Sequence, residues 1–489
     1  MPSKRQPNST GKDQYIESTY STEVVVGRKP KDGRNAKSTK TAEKNSKGRK
    51  DSVTQNDPSS PLLDVYVCGS NCYGELGLGD LTKKSELPRP VLNQKFDAQV
   101  TKVIHVTAGG VHCAALTRDN QILTWGVNDE GALGRDTKED KTADSNRGNT
   151  SSGDESDDEI TQNLKEATPL PVDRSFFPKG TVFSQLAASD SATFVLSTEG
   201  LVYGWGTFRG ANGGIGFSPG SKKEQMTPIL IPGVHDVNKI VAGAQHILAL
   251  TAKGTVFSWG CDEQHQLGRR RASRHHKSHH LVPDLCALPT GVRDIGVGQY
   301  HSFAIHTKGH VYAWGSNNFA QTGVATSAGL NDAIVVYPNK VPNLQKHASL
   351  VSIFGGKDHS MAITELGECL IWGRIDNKAL GIAVEDMPEA DIIYDKYGKP
   401  RILKNPNLLT GVRGKIVFGT AGTDHSFVIT ESGKAYSWGF NAQSQAGQPG
   451  LDEVERPTLL HSKYLEGKKL VSATAGGQFS IILGDASCN

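Results

Sequence analysis

The stretch "GAQHILALTAKGTVFSWG", residues 243–260, decides the fold. It starts with a glycine and a histidine, continues as an apolar run to Thr251, turns at Gly254 and ends as a second apolar run at Trp259-Gly260. Two short apolar runs joined by a turn that contains glycine are typical of a β-hairpin. The stretch therefore predicts two antiparallel strands.

The same hairpin recurs along the chain with constant spacing. The interval from histidine to tryptophan is thirteen residues in five copies, and the interval from Ala192 to Trp205 keeps this length without the histidine. A fixed interval of this kind indicates a repeat architecture. The five histidine copies run from His112 to Trp125, His246 to Trp259, His301 to Trp314, His359 to Trp372 and His425 to Trp438.

The two ends of the chain each carry half of a further repeat. "YVCGSNCYGELGLG" (66–79) has only the second half, and "AGGQFSIIL" (475–483) has only the first. Such a chain completes its last sheet by closing on itself, which removes exposed strand edges. The sequence predicts an all-β fold, a seven-bladed β-propeller closed by N- and C-terminal strands that complete one shared blade.

Composition divides the chain into three parts. Residues 1–60 are basic, polar and poor in aromatic residues, which predicts a disordered tail. Residues 61–485 form the predicted propeller, and 486–489 form the C-terminal end. An acidic insert at about 138–166 contains "SSGDESDDEI" (151–160) and is expected to be a disordered surface loop.

Charge, cysteines and hydropathy exclude several classes of protein. The 489 residues include seven scattered cysteines without paired metal spacing, and no apolar run is long enough to span a membrane. We expect a soluble protein of a reducing, intracellular compartment, with no metal, no cofactor and no membrane partner. No phosphate-binding Gly-x-x-x-x-Gly-Lys-Ser/Thr motif occurs.

Hairpin geometry predicts one shared face. Because the paired strands are antiparallel, the loop before each histidine and the loop after each Trp-Gly lie at the same end of the blade. The repeated histidines are spread around the ring and cannot meet at one metal ion. We therefore interpret them as structural residues that bond neighbouring backbone inside each blade.

The repeat resembles that of the regulator of chromosome condensation family over about residues 62–485. "NDEGALGRDT" (128–137), "GTFRGANGGIG" (206–216) and "CDEQHQLGR" (261–269) resemble the fungal-type exchange-factor members of that family. The resemblance implies a guanine-nucleotide exchange factor for the small GTPase Ran, which promotes GDP release and GTP loading on chromatin in the nucleus without covalent chemistry. It implies nucleotide-free Ran, histones or the nucleosome, DNA and a nuclear import receptor as partners.

Two other function classes stay open. The propeller could be a non-catalytic scaffold for protein or chromatin interactions, including one attached to a ubiquitin-ligase system. An enzyme with its own covalent chemistry is disfavoured, because no nucleophile–base pair or metal cluster is evident.

One loop is longer than its counterparts. Ten residues separate Trp205 from Ile215, whereas eight separate the corresponding positions of the other copies. Its glycines permit a tight backbone turn. Phe208 beside them can serve as an apolar anchor, and Arg209 carries a charge. The alternative is a neutral surface insertion. By resemblance this loop is a β-wedge that presses on the GTPase near its phosphates, made of Phe208, Arg209, Gly210, Ala211, Asn212 and Gly213.

Residues next to the histidine positions are candidates for the binding face. By motif, the resemblance implies GTPase contacts at Cys72, Asp190, Gln245, Arg269, Asp358 and Phe479. The alternative for the Asp and Gln positions is ordinary turn chemistry. The chain departs from the animal pattern, which has acidic residues at 72 and 245 and histidines at 358 and 479, so a proton-donor role at the last two is in doubt.

Basic clusters suggest contacts with acidic partners. "GRKPKDGR" (27–34) and "KNSKGRK" (44–50) predict nuclear localisation or DNA contact, against the alternative of a solvated tail. "RRRASRHHKSHH" (269–280) is either a solvated loop or, by resemblance, a chromatin contact. The candidate residues are Arg28, Lys29, Lys31, Lys47, Arg49 and Lys50 in the tail, and Arg270, Arg271 and Arg274 in the loop.

Overall fold

A computed structural model describes residues 60–138, 163–219, 224–270, 280–347 and 349–487. In chain order its strands are β1 (Leu63–Ser70), β2 (Glu86–Leu92), β3 (Val103–Ala108), β4 (His112–Thr117), β5 (Ile122–Gly126), β6 (Leu170–Pro171), β7 (Phe183–Ala188), β8 (Ala192–Ser197), β9 (Val202–Gly206), β10 (Phe208–Gly210), β11 (Gly213–Gly216), β12 (Gln225–Leu230), β13 (Val237–Ala242), β14 (His246–Thr251), β15 (Val256–Gly260), β16 (Asp284–Leu285), β17 (Val292–Val297), β18 (His301–His306), β19 (Val311–Ser316), β20 (Ile334–Lys340), β21 (Leu350–Gly355), β22 (His359–Thr364), β23 (Cys369–Arg374), β24 (Ile392–Tyr394), β25 (Pro400–Leu408), β26 (Ile416–Ala421), β27 (His425–Thr430), β28 (Ala435–Phe440), β29 (Glu453–Leu459), β30 (Leu470–Ala475) and β31 (Phe479–Asp485).

Seven of the sheets are the blades of a β-propeller, which confirms the predicted fold. Blade 1 is β3–β6, blade 2 is β7, β8, β9 and β12, blade 3 is β13–β16, blade 4 is β17–β20, blade 5 is β21–β25, blade 6 is β26–β29 and blade 7 is β2, β1, β31 and β30. The described helices are short: α1 (Leu164–Ala167) and single 3₁₀ turns at Gly79–Leu81, Gln94–Phe96, Arg174–Phe176, Pro342–Lys346, Asp376–Lys378, Val384–Asp386 and Glu389–Asp391.

The two ends of the chain close the ring, as predicted. In blade 7 the N-terminal strand β1 pairs antiparallel with the C-terminal strand β31, so that Leu63 faces Asp485 and Val67 faces Ile481. The next strands on either side, β2 and β30, come from the two ends as well. Blade 7 is therefore a complete four-stranded sheet like most of the other blades, although its strands come from both ends of the chain.

The core lies in the seams between neighbouring blades. Strands such as β14 and β18 are buried at every position because other strands flank them and blades cover both faces. The six tryptophans at the ends of the hairpins are at most 1 % exposed. One seam, between blades 4 and 5, packs Phe303 and Leu344 against Trp372.

Glycines at two positions of the repeat make close approaches, as blade 3 shows. At the Trp-Gly position, Gly260 has φ +119°, and a Cβ there would lie 2.4 Å from the carbonyl oxygen of Gln245. Further along, Gly268 has φ +60°, and a Cβ would lie 2.6 Å from Nε1 of Trp314 in the next blade. These contacts explain why glycine follows both the tryptophan and the last leucine of the motif.

The repeated histidines are structural, but their bonds cross to the next blade instead of staying inside their own. Nε2 of His301 lies 2.7 Å from Oγ of Ser360, whose hydroxyl donates at 2.7 Å to the carbonyl oxygen of Gln321. The same carbonyl accepts from Nε1 of Trp372 at 3.0 Å. The other pairs are His112 with Thr193, His246 with Ser302, His359 with Ser426 and His425 with Ser480, at 2.8–2.9 Å.

Burial keeps these histidines neutral. It lowers the pKa of His301 to about 3 and that of His112 to about 4, because a buried imidazolium would lose its hydration. The cross-blade bonds correct the prediction that each histidine bonds backbone inside its own blade. Each neutral ring instead joins two blades through a hydroxyl.

Parts of the predicted domain scheme fall outside the described residues. These are most of the tail, 1–59, the central part of the acidic insert, 139–162, and the last two residues of the C-terminal end, 488–489. Within the predicted insert the structure does show a helical turn, α1, whose N-terminal amide at Lys165 donates to Oδ1 of Asn163. Among the described residues, no helix is long and apolar enough to cross a bilayer.

Candidate functional site

The loop before each histidine and the loop after each Trp-Gly share one end of the propeller, here called the loop face. In blade 3 the first residue of β14, His246, pairs with the last residue of β15, Gly260. The same relation holds in blade 1 between His112 and Gly126. The predicted shared face is therefore present.

The long loop of blade 2 is a two-stranded ribbon on this face. Its strands β10 and β11 pair Arg209 with Gly214 and Gly210 with Gly213, and the turn between them is Ala211-Asn212. A Cβ at Gly213 or Gly214 would meet no atom within 4 Å, so this arm projects into open space. We call residues 208–216 the wedge.

The base of the wedge is part of the core. Phe208 is fully buried, and its ring stacks on Phe194 and Phe217 with centroids 5.9 and 5.8 Å away. Phe194 in turn meets Trp259 of blade 3 edge-on at 5.9 Å. Phe208 is therefore an anchor, as predicted, and its ring is not available to a partner.

This seam differs from the histidine seams. Ala192 takes the histidine position and Ile247 takes the position where the hydroxyl stands at other seams, so aromatic rings replace the cross-blade hydrogen bond. Within the described part of the chain, the buried Nε1 of Trp259 finds no hydrogen-bond partner. The diverged loop therefore exchanges a polar seam for an apolar one.

Side chains of three other loops hold the upper part of the wedge. The amide of Arg209 donates to Oε1 of Gln245 at 2.6 Å. The amide of Ala211 donates to both carboxylate oxygens of Glu263, at 2.9 and 3.1 Å. On the other side, Nη1 of Arg209 lies 3.0 Å from Oε1 of Glu130 in blade 1. The wedge of blade 2 is thus bound from both neighbouring blades.

The Asp and Gln candidates beside the histidine positions are largely engaged within the protein. Gln245 and Asp358 are each 8 % exposed, and Oδ2 of Asp358 lies 3.3 Å from Nη1 of Arg374. Burial raises the pKa of Asp190 to about 6, and a hydrogen bond with Gln245 opposes that rise. Burial also raises the pKa of Asp358, against the attraction of Arg374. These contacts favour positioning roles for Gln245 and Asp358.

Two assignments to the binding face are corrected. Phe479 is 1 % exposed and packs with Val67 and Trp125, because its side chain fills the inward-pointing histidine position. Arg269 braces its own blade, where Nε donates to Oγ of Ser258 at 3.1 Å and the guanidinium donates to the carbonyl of Val282 at 2.8 Å. Neither side chain is oriented toward a partner on the loop face.

Cys72 lies half-buried in the loop after β1. Its sulfur lies 3.8 Å from the carbonyl oxygen of Ser85. Its loop follows the position equivalent to Trp-Gly, so Cys72 lies on the loop face.

A cleft of about 650 Å³ extends from the wedge across the loop face. Arg209, Glu263 and Tyr300 line one part, and Phe319 lines another. The ring of Phe319 faces the guanidinium of Arg374 at 5.0 Å. Aromatic rings and arginine side chains, which this cleft contains, are enriched at protein-binding surfaces.

The basic candidates are only partly visible. Arg270 is exposed at the start of its loop, whereas Arg271 and Arg274 lie outside the described residues. The same is true of the tail candidates at 28, 29, 31, 47, 49 and 50. Among the residues that the structure describes, no three His, Cys, Asp or Glu side chains could hold a metal ion together.

Sequence reasoning missed the two glutamates that contact the wedge. Glu130 follows Trp125 by five residues and Glu263 follows Trp259 by four, so both lie in loops already predicted for this face. The signal was their place in the blades on either side of the lengthened loop. It required knowing that consecutive repeats are neighbours in space.

Comparisons with known proteins agree with this architecture. The model of the RCC1-like domain matches residues 64–482. The Saccharomyces cerevisiae protein named guanine nucleotide exchange factor SRM1 is 34 % identical over 428 residues, covering 86 % of each chain.

Two solved structures superpose on most of the chain. The crystal structure of Prp20p from Saccharomyces cerevisiae, described with its binding properties to Gsp1p and histones, matches with TM-score 0.78 and 33 % identity, covering 87 % of this chain and 92 % of that one. Yeast RCC1 (Prp20) with bound Kap60 matches with TM-score 0.79 and 32 % identity, covering 92 % and 96 %. With the family model matched across the propeller, the chain belongs to the RCC1-like domain family.

Proposed function

We propose that the protein is a guanine-nucleotide exchange factor for the small GTPase Ran, which promotes GDP release and GTP loading. The likeness to SRM1, which carries the name of such a factor and aligns over most of both chains, supports this function. The observation that carries it on the structure is the wedge, a ribbon on the loop face with an exposed turn at Ala211-Asn212.

An exchange factor needs no covalent chemistry of its own. It must bind the GTPase more tightly when the nucleotide is absent, and only this difference shifts the equilibrium. A nucleotide held at nanomolar to picomolar affinity contributes about 12–16 kcal/mol, so the opposing surface must be extensive. The loop face, with seven sets of loops and the cleft beside the wedge, offers such a surface.

Within this function we assign the exposed part of the wedge to the contact with the GTPase near its phosphates. Arg209, Ala211 and Asn212 are exposed, and the glycines opposite them leave the backbone accessible. Asp190 and Cys72 are further candidates on the same face. Gln245 and Asp358 would support this surface from below, because their polar atoms are already engaged.

We assign the basic segments to chromatin and to nuclear entry. The tail and the loop that begins at Arg270 carry the charges that histones, DNA phosphates or an import receptor would recognise. The reported binding of Prp20p to histones and of yeast RCC1 to Kap60 supports this assignment, and with it a nuclear, chromatin-bound location.

The nucleotide dependence of binding tests this function against a plain scaffold. Ran would be mixed with the protein in excess GDP and, separately, after removal of nucleotide by a chelator and phosphatase. We expect a stable complex on size-exclusion chromatography only without nucleotide, and dissociation when GDP or GTP is added. Equal binding in both states would favour the scaffold.

A further inference from the structure

We propose that Glu263 is a positioning residue that holds the turn of the wedge in its projecting direction, with Gln245 as the second support. The inference rests on the proposed function, because it concerns how the wedge is presented to the GTPase. It assigns Glu263 no contact with the GTPase or its nucleotide. Its action passes through the backbone of Ala211 alone.

The wedge is too small to fix its own direction. Its two strands, β10 and β11, contain three and four residues, and an isolated two-stranded hairpin of any length is marginal in water. Two of its residues, Gly213 and Gly214, would have open space even around an added Cβ. Contacts from outside the ribbon are therefore needed to hold the turn in one place.

Those contacts lie at two positions along the ribbon, its base and its turn. At the base, the buried ring of Phe208 fixes where the ribbon leaves the blade. Above it, Oε1 of Gln245 accepts from the amide of Arg209, and the Glu263 carboxylate accepts from the amide of Ala211 at the turn. A base anchor and a bond at the turn together determine the direction of the ribbon.

The bond from the Ala211 amide to Glu263 involves a charged acceptor and depends on the space left by a neighbouring glycine. Hydrogen bonds to a carboxylate are stronger than those between neutral groups. A Cβ at Gly210 would lie 2.6 Å from Oε1 of Glu263, so a side chain at this position would displace the carboxylate from its present place. Glu263 belongs to blade 3 and the wedge to blade 2, so the bond ties the ribbon to its neighbour.

Arg209 gives the opposite side a weaker tie. Its guanidinium lies 3.0 Å from Oε1 of Glu130, with the two side chains 50 % and 26 % exposed. Such a pair must hold two long side chains in one geometry, so it contributes little. Glu263 is exposed as well, but both of its carboxylate oxygens accept from a backbone amide at the turn, so we expect it to matter more than Glu130 for the direction of the wedge.

Hydrogen–deuterium exchange of backbone amides tests the bond between Glu263 and Ala211 without relying on nucleotide-exchange activity. In the full-length protein, E263A should accelerate exchange at the Ala211 amide by about tenfold, whereas E263Q, whose amide oxygen still accepts, should accelerate it much less. Glu431 is an exposed carboxylate in blade 6, at the end of the blade away from the loop face. Glu431→Ala is the matched control and should leave the exchange rate of the Ala211 amide unchanged. If the Ala211 amide exchanges at the same rate in E263A as in the parent chain, the positioning role of Glu263 is wrong, whether or not the protein acts on Ran.

A second experiment separates positioning from direct contact. We expect E263A to slow Ran nucleotide exchange by about tenfold and E263Q to restore most of the rate. In a chain whose residues 209–214 are replaced by a Gly-Ser link, E263A should leave the affinity for nucleotide-free Ran unchanged. If E263A weakens that affinity in the wedge-less chain, Glu263 contacts the GTPase itself and the positioning role is wrong.

Discussion

The amide of Arg209 donates a hydrogen bond to Oε1 of Gln245 at 2.6 Å. Gln245 precedes the repeated His246, and the motif alone placed its side chain outward, toward a partner. In the structure it is 8 % exposed and supports the wedge. Partner-facing and wedge-supporting residues therefore occupy successive layers of the loop face.

Gln245→Ala should slow nucleotide exchange and should destabilise the fold only slightly. Loss of one largely buried hydrogen bond costs about 1 kcal/mol, which corresponds to roughly a fivefold slower rate if it acts through the wedge. Gln245→Met fills the same space without an acceptor oxygen and should slow exchange about as much. Stopped-flow release of labelled GDP measures both variants, and an unchanged rate in both would contradict support through the amide of Arg209.

Phe208→Ala should destabilise the protein, unlike changes at the turn. The ring is fully buried among aromatic side chains, so its loss should cost about 3–5 kcal/mol, whereas Asn212→Ala at the exposed turn should cost less than about 0.5 kcal/mol. Urea denaturation followed by tryptophan fluorescence gives both values. Similar midpoints for the two variants would mean that Phe208 is not an anchor.

Mild acid should destabilise the propeller through its seam histidines. Burial lowers the pKa of His301 and His425 to about 3, well below the ordinary value of 6.5, so the unfolded chain binds more protons than the folded one between these limits. Stability is thus fully present above pH 6.5 and is lost as the pH falls, by about 1.4 kcal/mol per pH unit for each such histidine.

Urea midpoints at pH 7 and pH 5 measure this loss. His301→Asn should be less stable at pH 7 but should lose less on acidification than the parent chain. His235→Ala, at an exposed histidine that makes no seam bond, is the control for removal of a histidine side chain. A parent chain equally stable at both values would show that the seam histidines do not resist protonation.

Removal of residues 1–60 should separate chromatin binding from exchange. The tail carries two basic clusters, and its loss should weaken DNA binding and reduce the salt dependence of that binding, because fewer counterions are released. Exchange on free Ran should be preserved. Fluorescence anisotropy at two salt concentrations measures DNA binding, and undiminished affinity would assign that role elsewhere.

The spacing of the repeats was sufficient to predict the fold. Thirteen residues from His301 to Trp314, and the same interval in the other copies, specify one hairpin, and the split repeat at 66–79 and 475–483 specifies ring closure. These features depend on local periodicity, which a single sequence displays directly. Side-chain partners across a seam, such as Ser360 for His301, depend on blade order and became visible only in the structure.

The binding face was predicted less completely for a related reason. Motif position places a residue in a loop but does not set the direction of its side chain, so Phe479 and Arg269 were assigned outward although both point into the protein. Glu263 was overlooked because its importance comes from the lengthened loop of the preceding blade. In both cases the side-chain contacts made in the fold decide, either within a blade or across to the next one.

The rate of GDP release from Ran is the most direct test of the proposed function. Ran loaded with labelled GDP would be mixed with excess unlabelled GTP and a small amount of the full-length protein. We predict that release accelerates in proportion to the protein and that substoichiometric protein exchanges all of the Ran, with the wedge-less chain inactive. A rate of release that stays at the spontaneous value with micromolar protein would contradict the assignment as an exchange factor.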